Sequence, residues 1–176
     1  MATNIGTGPQ DIPLNQFLGE MAFMDSPPQR PAFLAYHPGP ADFQVLGNTK
    51  ITCFSATQYN YFGGYNTSNQ TFTVPRSGLY MFGGHIRVGS PGSIRVFRIE
   101  IIVNTNILAD LLSVGGVNNF DATTGYDHPG MSGTGMFYLN GGDVVELYTA
   151  NELSASNNVF IQQGGLRSYW FGIQMF

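Results

Sequence analysis

The chain has 176 residues, about one domain's worth and enough to bury a core without disulfide staples. Hydrophobic residues make up 43% and aromatic residues 14%, against only 10% charged, so the water-facing surface must be built from Asn, Thr, Ser, Gln and Gly. The aromatic content excludes disorder, the 23 Gly and 10 Pro exclude a coiled coil, and a net charge of −4 excludes the basic face that nucleic acid requires. No apolar run approaches the roughly 18–20 residues of a membrane span. The single cysteine, Cys53, leaves no intrachain disulfide and no thiolate metal cluster. A surface this poor in charge is weakly self-repelling, which predicts that other subunits cover part of it.

Residues 1–30 form an N-terminal arm marked by Pro9, Pro13, Pro27 and Pro28. Its apolar side chains are Ile12, Leu14, Phe17, Leu18, Met21, Phe23 and Met24. Leu14, Phe17, Leu18 and Met21 have helical spacing behind Pro13, but Gly19 interrupts it, so the reading is an irregular arm that docks by its aromatic and Met side chains. The first nine residues carry neither a basic region nor an apolar one, so the chain is expected to start in a cytoplasm, with the sequons at Asn66 and Asn69 unglycosylated.

From residue 31 the pattern changes to short β-branched and aromatic runs separated by Gly, Pro, Asn and Ser. Strands are predicted over 32–36, 43–45, 50–54, 70–74, 78–88, 93–104, 106–111, 135–139, 144–149, 158–162 and 170–176. The charges at Arg95, Arg98 and Glu100 do not share one strand face. Asn104-Thr-Asn106 reads as a tight turn, and Asn140-Gly-Gly-Asp143 as a hairpin turn in which Gly142 supplies a positive φ. Two loops remain, the Gly-rich 113–133 and the polar 151–157. The fold class is all-β, a two-sheet antiparallel sandwich.

The order of landmarks over residues 31–176 resembles the complement C1q/tumour-necrosis-factor-like jelly roll. It runs through Pro31-Ala-Phe-Leu-Ala35, Asn60-Tyr-Phe-Gly-Gly-Tyr65, Phe72-Thr-Val-Pro75 and Ser77-Gly-Leu-Tyr-Met-Phe82. It then continues through Ile102-Val-Asn104, Leu139-Asn-Gly-Gly-Asp-Val-Val-Glu-Leu147 and Trp170-Phe-Gly-Ile-Gln-Met-Phe176. The resemblance implies a ten-stranded sandwich that assembles as a compact homotrimer with aromatic residues near its threefold axis. Tyr80, Phe82, Phe97, Ile99, Trp170 and Phe176 are the expected interface residues. The segment Gln10-Asp-Ile-Pro-Leu-Asn-Gln-Phe-Leu-Gly-Glu-Met-Ala-Phe-Met-Asp25 resembles a leader of tailed-bacteriophage structural proteins.

Together the two resemblances imply a non-enzymatic virion protein, a trimeric capsid decoration or cement protein fastened through its arm to the major capsid protein or another virion protein. The alternative is the receptor-binding tip of a tail or head fibre, contacting a host glycan or protein through loops 113–133 and 151–157. No catalytic or metal site and no cofactor is expected. His37, His85 and His128 are scattered, with no Gly-x-Ser-x-Gly elbow, and Cys53 reads as a small buried hydrophobe. Asp110, Asp121, Asp127, Asp143 and Glu146 supply carboxylates without a convergent pattern, and 118–128 lacks the EF-hand spacing for calcium, so it reads as a solvated loop.

Overall fold

The computed structural model describes residues 30–45, 47–89, 94–117, 130–152 and 159–176. The arm residues Ile12, Leu14, Phe17, Leu18, Met21 and Phe23 lie outside them, as does the loop 118–128. Every element is a strand: β1 (Ala32–His37), β2 (Phe43–Val45), β3 (Thr49–Lys50), β4 (Ala56–Tyr61), β5 (Tyr65–Asn66), β6 (Thr71–Thr73), β7 (Gly78–Gly89), β8 (Ile94–Val103), β9 (Asn106–Val117), β10 (Gly130–Leu139), β11 (Val144–Glu152), β12 (Val159–Ile161) and β13 (Gly165–Gln174).

They form two antiparallel sheets. The seven-stranded sheet runs β2-β12-β7-β13-β1-β4, with β10 paired to β7. The six-stranded sheet runs β5-β6-β11-β8-β9, with β3 paired to β11. β7 is the spine of the first sheet. Ten of its residues, 78–87, pair with β10, and residues 80–85 of that stretch pair with β13 along the opposite edge. Thirteen strands stand where the resemblance implies ten, and five of them (β2, β3, β5, β6 and β12) are only two or three residues long.

The sheets meet through an aromatic core. Phe33 of β1 stacks on Tyr65 of β5 at 4.8 Å between centroids, meets the edge of Trp170 of β13 at 4.6 Å, and lies 4.8 Å from Phe72 of β6. Offset and edge-on ring pairs of this kind add to the area they bury. The polar atoms they carry inward are satisfied: the Tyr65 hydroxyl donates to the Phe54 carbonyl at 2.8 Å, and the Trp170 indole N–H donates to the Tyr65 oxygen at 3.4 Å. Gly172 makes this packing possible, because a Cβ there would fall 2.6 Å from the rings of both Phe33 and Phe82.

The turns follow the sequence. Gly142 has φ 91°, and Asn104 and Thr105 have φ 49° and 71°, a two-residue hairpin between β8 and β9. Asn104 offsets its left-handed backbone with its side chain, which donates to Asp143 Oδ1 at 2.7 Å and accepts the Val144 N–H at 2.9 Å. That locks one hairpin to the other.

Three expectations are corrected. The strand expected over 50–54 stops at Lys50, because Cys53 and Phe54 are both buried, which an alternating strand cannot achieve. The following strand, β4, is instead an edge strand of mixed polar and aromatic residues. β9 and β10 are longer than expected, because β9 stays paired to β8 out to Val117 and β10 to β7 from Gly130, which shortens the loop expected over 113–133. Likewise Asn151 and Glu152 belong to β11 rather than to the loop.

Truncating Phe33 to Ala should cost about 3–5 kcal/mol of unfolding free energy, and Gly172→Ala about 1–3 kcal/mol by overpacking. Equilibrium urea unfolding followed by Trp170 fluorescence measures both.

Candidate functional site

Alternation along β7 and β13 separates core from surface. Tyr80, Phe82, Ile86 and Val88 on β7, and Ser168, Trp170 and Gln174 on β13, are buried. Leu79, Met81, His85 and Arg87, with Tyr169, Phe171 and Ile173, therefore face away from the sandwich and are only half-buried. The strand registers extend this set into rows that cross five strands. One row is Tyr59, Leu34, Phe171, Gly83 and Thr134. The next is Tyr61, Ala32, Ile173, Met81 and Met136. A third is Ala56, Tyr36, Tyr169, His85 and Ser132, and Leu79 pairs with Tyr138 below them.

The three rows themselves hold no acid, Lys or Arg, and Arg87, on the same outward side of β7, lies beyond the third row. Met136 is 63% exposed and Tyr138 71%, and Tyr59 stacks on Tyr61 at 5.4 Å. Phe62 and Phe176, also exposed, lie at the adjoining end, where the Arg76 guanidinium sits 5.4 Å from the Phe62 ring centroid. Charge is confined to the margins of this face. Arg87 and Arg167 lie two residues beyond His85 and Tyr169, and Arg30 donates to the Met175 carbonyl at the other end.

The outward face of the six-stranded sheet is built differently. Lys50 and Glu146 form an ion pair there, and Arg98 and Glu100 alternate with the buried Ile99 and Ile101. The sandwich thus has one charged face and one Tyr- and Met-rich face whose charges lie at its margins.

The expected interface residues are placed otherwise. Tyr80, Phe82 and Ile99 are 0% exposed and Trp170 1%, all within one copy's own core, so they have no surface to offer a second chain. Phe176 is exposed, at 80%, and the Phe97 side chain lies outside the described residues. The surface consists of their sequence neighbours, one position out of phase. His85, Arg87 and Arg167 carried the signal for that phase, since polar side chains at one parity identify the side of the strand that faces out.

Other candidate chemistry does not converge. Asp143 accepts from Asn104 and from the Asn140 N–H, whereas Glu146 pairs with Lys50, so each carboxylate has a structural partner. Among the described residues no three His, Cys, Asp or Glu side chains gather as a metal site. Cys53 is buried, and burial pushes its thiol far above the usual range, so it packs as a small hydrophobe. His37 is buried at the end of β1 with neither ring nitrogen in a well-formed hydrogen bond. Burial lowers its pKa below the ordinary 6.5, opposed in part by the Ala41 backbone and the Asp42 carboxylate.

Because the folded imidazole binds its proton less readily than the unfolded one, His37 favours the folded state above about pH 6.5 and this contribution is lost as pH falls below it. Urea unfolding between pH 7 and pH 5 should show that decline, at most about 1.4 kcal/mol per pH unit. His37→Gln should flatten it.

No protein-family model and no curated protein matches the sequence. Solved structures do match. The globular domain of zebrafish complement 1qA protein aligns at 14% identity with a TM-score of 0.55, over 84% of this chain and 98% of that one. Eiger TNF from S. frugiperda aligns at 8% identity with a TM-score of 0.61, over 84% and 93%. Murine APRIL aligns at 7% identity with a TM-score of 0.58, over 83% and 99%. At such identities the likeness is one of fold, and together with the two antiparallel sheets it establishes that this chain is a C1q/TNF-like jelly roll.

Proposed function

We propose that this chain is a non-enzymatic structural protein that assembles as a homotrimer through the Tyr- and Met-rich face of its seven-stranded sheet and decorates a virion capsid, to which its N-terminal arm fastens it. The observation that carries the assembly is the set of uncharged rows, which would leave Tyr59, Tyr61, Met81, Met136, Tyr138 and Phe171 against water in a lone protomer. Covering them with other copies buries apolar area without stranding an ionised carboxylate or ammonium group. The jelly-roll fold supports the threefold form, through the resemblance drawn from the sequence.

The virion role rests on the likeness of residues 10–25 to a phage structural leader and on the apolar content of the arm. Prolines at 9, 13, 27 and 28 lower the entropy lost when such an arm is ordered, and an extended path suits strand addition to a capsid subunit.

Sedimentation velocity should give three times the 19.2 kDa protomer mass at micromolar concentration. Met81→Glu should yield a folded protomer with an unchanged circular-dichroism spectrum, and a wild-type protein that runs as a stable monomer would overturn the assembly. Deleting residues 2–28 should leave the oligomer and its melting temperature nearly unchanged while abolishing binding to particles. Full decoration by the truncated protein would move attachment to the jelly roll. Hundreds of copies per particle are expected, whereas a few copies at the tail would indicate a fibre tip.

A further inference from the structure

The turn between β4 and β5 carries an aromatic side chain where its backbone favours a small one. Phe62 and Gly63 have φ 67° and 64°, a two-residue turn of the kind that selects Asn-Gly. A bulky residue at such a φ is an outlier, and strain of this sort persists where it serves a function. The Phe62 ring does not hold the turn. Asn60 does: its carbonyl accepts the Gly63 N–H at 3.3 Å, and its side chain bonds both the N–H and the carbonyl of Tyr65. Phe62 instead stands 58% exposed against the Arg76 guanidinium.

Arg76 ties this ring to the last residues of β13 and beyond. Its Nε donates to Gln174 Oε1 at 2.6 Å, and Gln174 Nε2 donates to the carbonyl of Phe176, whose side chain is exposed. Residue 30 leads into the fold at the same end. Arg30 donates to the Met175 carbonyl, the Gln174 N–H donates to the Pro31 carbonyl, and Ala32 pairs with Tyr61. Two guanidinium groups and two exposed phenyl rings therefore share this end. The described anions there are the Asp143 carboxylate, already held by Asn104 and the Asn140 N–H, and the carboxylate of Phe176.

The segment that leads into Arg30 complements such a surface. Residues 1–29 carry Asp11, Glu20 and Asp25 but no Lys or Arg, and Glu20-Met-Ala-Phe-Met-Asp25 sets an acid at each end of three large apolar side chains. We infer that residues 20–25 dock on this end of their own protomer, with Met21, Phe23 and Met24 against Phe62 and Phe176, and with Glu20 and Asp25 facing Arg76 and Arg30. Only Ser26-Pro-Pro-Gln29 separates Asp25 from Arg30, a tether of at most about 17 Å. Phe62 is within its reach, because Pro31 and Phe62 adjoin the paired Ala32 and Tyr61 at one end of the sheet. A short tether gives an effective concentration of order millimolar, so a contact too weak to join separate molecules is largely formed here. It leaves residues 1–19, with Ile12, Leu14, Phe17 and Leu18, to reach a partner, and it is expected whether or not that partner is a capsid.

The test is oxidation of the full chain by dilute hydrogen peroxide, which adds an oxygen atom to a methionine thioether and releases water, read at each methionine by peptide mass spectrometry. Met1 serves as the internal standard and the urea-unfolded chain as the unprotected reference. Met21 and Met24 should react about three- to tenfold more slowly in the folded chain, the ratio for a contact formed roughly two-thirds to nine-tenths of the time. Phe62→Asn suits the positive φ and should keep the wild-type circular-dichroism spectrum while abolishing that protection. Glu20→Gln combined with Asp25→Asn should weaken it, and dilution should leave it unchanged. Unprotected Met21 and Met24 in wild type, or full protection in either variant, overturns the inference. Protection that disappears on dilution also overturns it, by placing a second copy on the patch.

Discussion

The stacking of Phe33 against Tyr65, Phe72 and Trp170 is the contact on which the architecture depends. Phe33 and Trp170 belong to the seven-stranded sheet, Tyr65 and Phe72 to the six-stranded one, so these rings are the junction of the two layers. Each ring needs its neighbours to be on the correct side of its strand, and a one-residue slip in any of them would expel an aromatic side chain to the surface. Gly172, Ser168 and Gln174 sit on the same inward side of β13 as Trp170 because that indole fixes the phase of the whole strand. Ser168 and Gln174 then find partners indoors: the Ser168 hydroxyl accepts the Arg87 N–H, and Gln174 bonds Arg76 and the Ser77 carbonyl.

Phase fixed by the core is also what makes the two outer faces unequal. With Trp170 and Phe82 inside, Tyr169, Phe171, Met81 and His85 must be outside, although nothing in their chemistry demands water. On the opposite sheet the same rule sends Arg98, Glu100 and Glu146 outward and Ile99, Ile101 and Leu147 inward. That face can be solvated with no further burial. The first face can be solvated only at the expense of leaving rings and thioethers in water, and this asymmetry is what the proposed assembly rests on.

The two described histidines on the seven-stranded sheet differ by the side of the strand they occupy. His37 of β1 is enclosed by its own protomer, so its titration bears on folding. His85 of β7 lies on the outward side, beside Ser132 and Tyr169.

Much of this was legible in the residues themselves. Turn chemistry at Asn104, Thr105 and Gly142, the long apolar runs of β7 and β8, and the order of landmarks along 31–176 were enough for an all-β sandwich and for its jelly-roll class, because glycine, asparagine and β-branched residues act locally. β4 was missed because edge strands need no buried face, so Ala56-Thr-Gln-Tyr-Asn-Tyr61 carries no apolar alternation. The surface residues were missed for a different reason. In Gly78-Leu-Tyr-Met-Phe both parities are apolar, and either Leu79 with Met81 or Tyr80 with Phe82 satisfies the pattern. Composition along the strand determined that one apolar parity is left over for the outer surface. Which residues form it was decided only when Phe33, Trp170 and the opposing sheet claimed one parity for the core, because a strand has two sides and only tertiary packing chooses between them.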